Sequence, residues 1–318
     1  MVMKLEQLGY NSRVEDLVIE NNLKDFEVGR VISEHKERYL TICHSSKVLP
    51  KIVLTKTDLL PEDSVEESVV IAMDGSDSEL FNYLPYILQD MWEIGANPIV
   101  INDLIREQFN KPAGLKVLDL GCGKGAVSVK ASKALGCFCH GIDAIPQFID
   151  YANDKAIEFK VDNLCKFEVG DIRKKVKGLS GYDVIILGAI GPILGDYYNT
   201  LTTLLQCLKK GGVIITDDAY IEDESSFSHP LMFKKSVVLK QIADAGFVII
   251  TKLDVKTEDI QDADDLIFNN LKKRCLELIE KHPGKEELFR NYVLKQEEET
   301  YVLENKVTAY TMMLKSKL

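Results

Sequence analysis

Val117-Leu118-Asp119-Leu120-Gly121-Cys122-Gly123-Lys124-Gly125 runs a short stretch of strand character into three glycines at alternate positions, and a helical pattern follows in Ala126, Val127, Val129 and Ala131. Glycine has no Cβ, so such a loop turns tightly and lets a ligand touch the backbone. The loop also opens a helix, whose first N–H groups have no partner inside the helix and can serve a ligand. A glycine-rich strand-to-helix turn of this kind signals a nucleotide-like cofactor.

Two cofactors compete for it. Gly121, Gly123 and Ala126 loosely fit the G-x-G-x-x-G/A fingerprint of dinucleotide binding. S-adenosylmethionine carries adenosine but no phosphate. Asp119 separates the two. A pyrophosphate gains from positive potential, so a carboxylate two residues before the first glycine works against it. S-adenosylmethionine brings an ammonium and a sulfonium, which the same carboxylate favours. The full pattern is D-x-G-x-G-x-G, with a second acid, Asp143, 22 residues after Gly121. In this the chain resembles class I S-adenosylmethionine-dependent methyltransferases. The resemblance implies a cofactor site lined by Asp119, Gly121, Cys122, Gly123, Gly125, Asp143, Ala144, Gly170, Asp171, Ile172 and Gly188. Asp143 would hold the ribose hydroxyls, Asp171 the adenine with Ile172 against its ring, and Gly188-Ala189-Ile190-Gly191 the methionine end.

The 318 residues suffice for one large domain and a smaller piece. With 46% hydrophobic and 28% charged residues the chain reads as globular. A net charge of −11 makes nucleic acid and anionic membrane poor partners. No apolar run reaches the roughly 18 residues of a membrane span, and MVMKLEQLGY lacks a signal-peptide core. Seven dispersed cysteines without a C-x-x-C pair predict reduced thiols and neither disulfides nor a metal site. The expected setting is cytoplasmic.

Strand and helix patterns alternate after the glycine loop. Strands are expected from Gly136 to Asp143, Phe167 to Val169, Tyr182 to Leu187, Val213 to Thr216 and Phe247 to Leu253; helices from Ile145 to Phe159, Tyr197 to Leu208 and Met232 to Ala245; and a turn at Lys209-Lys210-Gly211-Gly212. This alternation predicts an α/β fold, a parallel sheet with helices on both faces. The resemblance makes it a Rossmann-like sheet of seven strands. Upstream, Asp77 or Ser78 caps a helical pattern, Pro85 kinks or breaks it, and Pro98 starts another helix. Such helices cover the cofactor in the family, which would bring Tyr83, Gln89 and Trp92 near it. Between the last two strands Val255 to Asn305 intervenes. Apolar spacing in Asp264 to Lys281 and Lys285 to Leu303, broken by His282-Pro283-Gly284, predicts a helical hairpin, expected to form a lid or wall over the acceptor site or a dimer contact. The order from Asp77 onward resembles small-molecule methyltransferases of ubiquinone and menaquinone biosynthesis.

Residues 1–75 read as a separate α+β segment, with the methyltransferase domain at 76–318. Leu5 to Leu23 has a short helical pattern, Val28 to Ser33 and Arg38 to Ile42 form a hairpin, and Lys51 to Asp58 is a strand. LEQLGY, VGRVISEHKERY and IVLTKTDLLPED resemble the circularly permuted GTPases of small-ribosomal-subunit assembly. The chain departs from that family by lacking G-x-x-x-x-G-K-[ST], so no GTP binding is expected, and Lys56 and Asp58 read as solvated strand-end residues.

Methyl transfer from a sulfonium is an in-line displacement, for which the protein chiefly aligns the reactants. An oxygen or nitrogen acceptor can also need a base. Candidates are Asp217, Asp218 and Tyr220 after the fifth strand of the pattern, and His229 further on, since histidine exchanges protons near neutral pH. The acceptor is expected to be a small molecule. An RNA- or protein-directed enzyme, and a non-catalytic S-adenosylmethionine-binding protein, remain open alternatives at this stage.

Overall fold

A computed structural model of the chain describes residues 29–35, 38–43, 64–255 and 257–317. The chain forms two compact units, Met1–Asp63 and Ser64–Leu318. In the first, β1 (Gly29–His35) and β2 (Arg38–Cys43) pair antiparallel, with His35 opposite Arg38. This is the expected hairpin. The helix expected at Leu5 to Leu23 and the strand at Lys51 to Asp58, with Lys56, lie outside the described residues.

The second unit begins earlier than 76. Ser64 caps α1 (Val65–Ala72), its Oγ accepting the Glu67 N–H at 3.1 Å. Val70 on α1 is 1% exposed and packs with Leu80 and Leu84. The boundary therefore falls between Asp63 and Ser64, because α1 buries its apolar side in the following segment. Asp77 caps a 3₁₀ turn (Ser78–Asn82). Pro85 lies in the first turn of α2 (Leu84–Ile87), where a missing N–H costs nothing. The helical pattern is broken here and not kinked: the 3₁₀ turn ends at Asn82 and Pro85 helps start a new helix. Asn97 caps α3 (Pro98–Gln108), which also has proline in its first turn.

From there β3 (Lys116–Leu120), α4 (Ala126–Leu135), β4 (Phe138–Asp143), α5 (Pro146–Glu158), β5 (Cys165–Val169), α6 (Ile172–Lys175), β6 (Tyr182–Gly188), α7 (Tyr197–Leu205), β7 (Leu208–Tyr220), α8 (Lys235–Asp244) and β8 (Phe247–Asp254) follow. The insertion folds as α9 (Thr257–Lys281) and α10 (Glu286–Asn305), and β9 (Thr308–Ser316) comes last. Seven strands make one sheet in the order β5-β4-β3-β6-β7-β9-β8. Neighbours pair parallel except at β9, which runs antiparallel to β7 and β8.

Helices cover both faces, as the alternation predicts. Leu118, Ile185 and Ile214 lie under α7 (Leu201, Leu204) and α8 (Val238, Ile242). On the opposite face Val117, Val184 and Val213 lie under α3 (Ile101, Leu104) and α4 (Ala131, Leu135). One local expectation is corrected. Lys209-Lys210-Gly211-Gly212 is not a turn but an irregularity inside β7: Tyr182 pairs with Leu208, and pairing resumes at Val184 with Val213. The chain leaves β3 toward β4 on one side and returns to β6 on the other. A ligand crevice in such a sheet lies at the carboxyl ends of these strands.

Candidate functional site

β3 delivers Asp119 and the glycine loop to that crevice. Asp119 is buried, and Ser128 on α4 donates its hydroxyl to Oδ2 at 2.7 Å. Burial, opposed by the Ser128 bond, raises the Asp119 carboxyl to about 6, and the charge of Asp143 adds to the rise. Gly121, Gly123 and Gly125 have φ of +69°, +51° and +72°, a region that side chains disfavour. Space is short as well. A Cβ on Gly121 would come 2.5 Å from Ile190 Cγ2, and one on Gly125 2.7 Å from Ala152 Cβ. Burial pushes the Cys122 thiol up, reinforced by the two nearby acids. Cys122 is thus held as a neutral packing group.

Asp143 ends β4, half-buried. Its Oδ2 accepts the Gly123 N–H and its Oδ1 the Ile145 N–H, both at 2.9 Å. Ala144 also donates to it, and burial still raises its pKa. The carboxylate ties the glycine loop to the β4–α5 turn, and lone pairs remain on it for further hydrogen bonds. Gly170 donates to Asp143 O at 2.8 Å, so the β5 end lies against the same turn. Asp171 caps α6 and is engaged by Arg173, whose Nε reaches Oδ1 at 2.9 Å and whose second terminal nitrogen reaches Oδ2 at 3.1 Å. Arg173 also donates to Ser68 of α1 at 2.7 Å. Ile172, expected against the adenine ring, is 6% exposed and packs in the core with Leu120 and Ile142.

Gly188 ends β6, where a Cβ would come 2.9 Å from Ala96 Cβ. Ala189 follows at φ +57°, its N–H donating to Asp217 O at 3.0 Å. Gly188 pairs with Asp217 in register, which brings the acids of β7 to this end of the crevice. Asp217 accepts from Thr311 on β9 at 3.4 Å. Burial lifts its pKa to about 6, against the Thr311 bond. Asp218 is more tightly held: Oδ2 accepts from Tyr197 at 2.8 Å and Oδ1 from the Ala219 N–H at 2.7 Å. Tyr197 shares a further 2.6 Å hydrogen bond with Tyr310 of β9. Asp217 and Asp218 line a pocket with Leu187, Ile190, Leu231 and Phe233. His229 is occupied at both ring nitrogens, Nδ1 by the Leu231 N–H at 3.3 Å and Nε2 by Glu299 of α10 at 3.2 Å. A histidine bonded in this way has no open nitrogen for an acceptor proton.

The three residues expected to cover the cofactor are placed differently from one another. Trp92 packs on Phe159, with ring centroids 5.1 Å apart, and donates its indole N–H to Lys124 O at 2.9 Å. Tyr83 lies edge-on to Phe289 of α10 and accepts from Lys285 at 2.8 Å. Gln89 is exposed and donates to Tyr86 O. The insertion reaches back as expected. Leu271, Cys275, Leu278, Phe289 and Tyr292 pack with Val70, Leu84, Ile87 and Met91, and this layer also takes in Ile145 and Phe148. Arg274 grips both oxygens of Asp90 at 2.6 and 2.7 Å, and Tyr86 donates to Glu277 at 2.5 Å.

The sequence reading missed Lys124, Tyr197, Tyr310 and Thr311. The alternation of β9 would have paired Tyr310 and Thr311 with the two acids only if its register were known.

The fold and the crevice define a class. Residues 111–305 match the family model described as Methyltransferase domain, and the chain belongs to that family. It is 30% identical over 133 residues to 2-methyl-6-phytyl-1,4-hydroquinone methyltransferase of Synechocystis, covering 42% of this chain and 40% of that protein. It is 27% identical over 167 residues to sterol 24-C-methyltransferase of Debaryomyces hansenii, covering 46% and 44%. The chain thus spans less than half the length of these relatives. Its fold is that of an S-adenosylmethionine-dependent methyltransferase from Thiobacillus denitrificans, solved with S-adenosyl-L-homocysteine. The TM-score is 0.60 at 20% identity, over 73% of this chain and 97% of that one.

Proposed function

We propose that the protein transfers the methyl group of S-adenosylmethionine to a small-molecule acceptor at the carboxyl ends of β6 and β7. The carrying observation is the glycine loop at the switch point, with three positive-φ glycines between the carboxylates of Asp119 and Asp143. It offers backbone contact and negative charge to a cationic nucleoside. In this reading the loop and Asp119 hold the methionine end. Asp143 takes the ribose, the Gly170-Asp171-Ile172 turn the adenine edge, and Gly188 flanks the sulfonium. The cofactor supplies the electrophile. The chain's part is to hold donor and acceptor in line and keep water out.

Asp217 is the acceptor-side base in this reading. It accepts a long hydrogen bond from Thr311 and one from the Asn97 backbone, and burial raises its pKa to about 6, a direction that suits a group taking up a proton. Asp218, held by Tyr197, shapes the pocket wall. The hydroquinone and sterol named in the relatives support a small-molecule acceptor. A cytoplasmic setting belongs to the same proposal, whereas GTP, nucleic acid and membrane have no part in it.

The test is transfer of a labelled methyl group from S-adenosylmethionine to cell extract, fractionated into metabolites, RNA and protein. Label is expected in the metabolite fraction. Asp217→Asn should bind the cofactor normally and lose at least about 100-fold in turnover, the usual contribution of a general base. Label confined to RNA or protein would overturn the acceptor class.

A further inference from the structure

Lys124 stands between the second and third glycines of the loop, yet it is only 4% exposed. Its Nζ donates to Leu88 O at 2.5 Å and to Met91 O at 2.6 Å. It lies 5.0 Å from the ring centroid of Tyr151 and 5.6 Å from that of Phe148. In the other direction the Trp92 indole N–H donates to Lys124 O. Three hydrogen bonds therefore stitch Leu88–Trp92 to the glycine loop, from both sides.

Burying an ammonium is costly, and the groups receiving this one are carbonyls and aromatic faces. Asp90, the acid of the same segment, is itself gripped by Arg274 of α9. A methionine would fill the same apolar space without burying a charge. What lysine adds is a donor for Met91 O and a second, shorter hydrogen bond for Leu88 O, which otherwise accepts only the Met91 N–H at 3.2 Å.

The same segment then crosses the crevice. Gly95 lies against Gly188 O and Ala189, and Ala96 packs on Gly188 so closely that a Cβ there would come within 2.9 Å. Residues 88–97 thus run from the loop after β3 to the end of β6, the two sides of the switch point.

We propose that Lys124 is a positioning residue, a latch that holds residues 88–97 onto the glycine loop as a wall of the cofactor crevice, so that cofactor affinity depends on the latch being closed. The proposal rests on the crevice being the S-adenosylmethionine site. A ligand that requires the closed wall loses apparent affinity in proportion to the fraction of molecules open. Without Nζ, Met91 O loses its donor and Leu88 O keeps only the Met91 N–H, so the segment gains more from opening to water.

Trp92 is the single tryptophan of the chain, and its emission reports the latch directly. Wild type, K124M and K124R are compared by calorimetry with S-adenosylhomocysteine, by tryptophan emission and by melting. K124M is expected to fold, to bind about tenfold more weakly and to emit at longer wavelength. K124R keeps a cation with donors and should recover part of both signals. Wild-type binding with K124M unchanged in affinity and emission would overturn the latch alone. So would weaker binding by K124M with Trp92 emission unmoved. A wild type that fails to bind S-adenosylhomocysteine would overturn the cofactor reading beneath it. If K124M does not fold, Trp92→Phe opens the latch from its other side. A several-fold loss of affinity is then expected, and wild-type affinity would overturn the proposal.

Discussion

Asp143 joins two turns through backbone N–H groups while keeping lone pairs free, so its removal should both loosen the glycine loop and weaken ligand binding. Hydrogen bonds to a charged group are worth about 1.5–3 kcal/mol each. Asp143→Ala should therefore weaken S-adenosylhomocysteine binding by at least about tenfold. An unchanged dissociation constant by calorimetry would mean the ribose is held elsewhere. Asp119 gives a pH signature. Its folded pKa is raised to about 6 from an ordinary 3.8. Its contribution to stability is therefore fully present below about 3.8 and is lost as pH rises through 6, where the buried carboxylate ionises. A bound ammonium reverses the preference, favouring the ionised form and lowering the pKa. Affinity should rise as pH rises through 6, with protons released on binding near that pH. Calorimetry in two buffers of different ionisation enthalpy measures the release. Asp119→Asn should abolish it, which separates Asp119 from Asp217 and Asp74, both also raised to about 6.

At the scale of elements, α1, α2 and the inserted helices act as one packed layer. Isolated helices of this length are marginal in water, and here each buries its stripe in the others. Val70 of α1 is nearly inaccessible, Ser68 receives Arg173, and Gln296 of α10 donates to Met73 O at 3.0 Å. A chain beginning at Ser64 should melt like the full-length second unit. One beginning at Ser76 loses α1 and should melt roughly 5 °C lower or more, since burying one valine side chain is worth about 1.5–3 kcal/mol. Equal melting points for the two chains would show that α1 merely rests on the domain. Leu271, Cys275, Leu278, Phe289 and Tyr292 of the insertion are buried within the chain and make the hairpin a wall of the body, while Leu266, Leu276, Leu294 and Tyr301 stay exposed on it.

At the scale of the molecule, charge and site agree. A chain of net charge −11 that sets carboxylates on both sides of its glycine loop is suited to a cationic ligand and poorly suited to phosphates. Among the described residues, no helix is long and apolar enough to cross a membrane. S-adenosylmethionine and S-adenosylhomocysteine should raise the melting point of the whole protein by mass action, whereas NAD and GTP should leave it unchanged. Stabilisation by NAD without any response to S-adenosylhomocysteine would reverse the cofactor assignment.

What could be read without coordinates was encoded at short range, though not all of it held: Lys209-Lys210-Gly211-Gly212 has the composition of a turn yet lies inside β7. The positive-φ turns at Gly121, Gly123 and Gly125, the alternation that makes a parallel sheet, and the two amphipathic helices after Val255 all depend on residues a few places apart. The 22-residue step to Asp143 was legible too, because one strand–turn–helix unit has a nearly constant length. The partners were not legible, because they come from far along the chain. Lys124 meets Leu88 and Met91, Arg173 reaches Ser68, and His229 Nε2 is hydrogen-bonded to Glu299. The register of β9 alone decides that Thr311 and Tyr310 lie opposite Asp217 and Asp218. Local pattern states what each segment can become. Which carboxylate stays available and which is already spent on an arginine or a tyrosine depends on distances between segments that only tertiary packing sets.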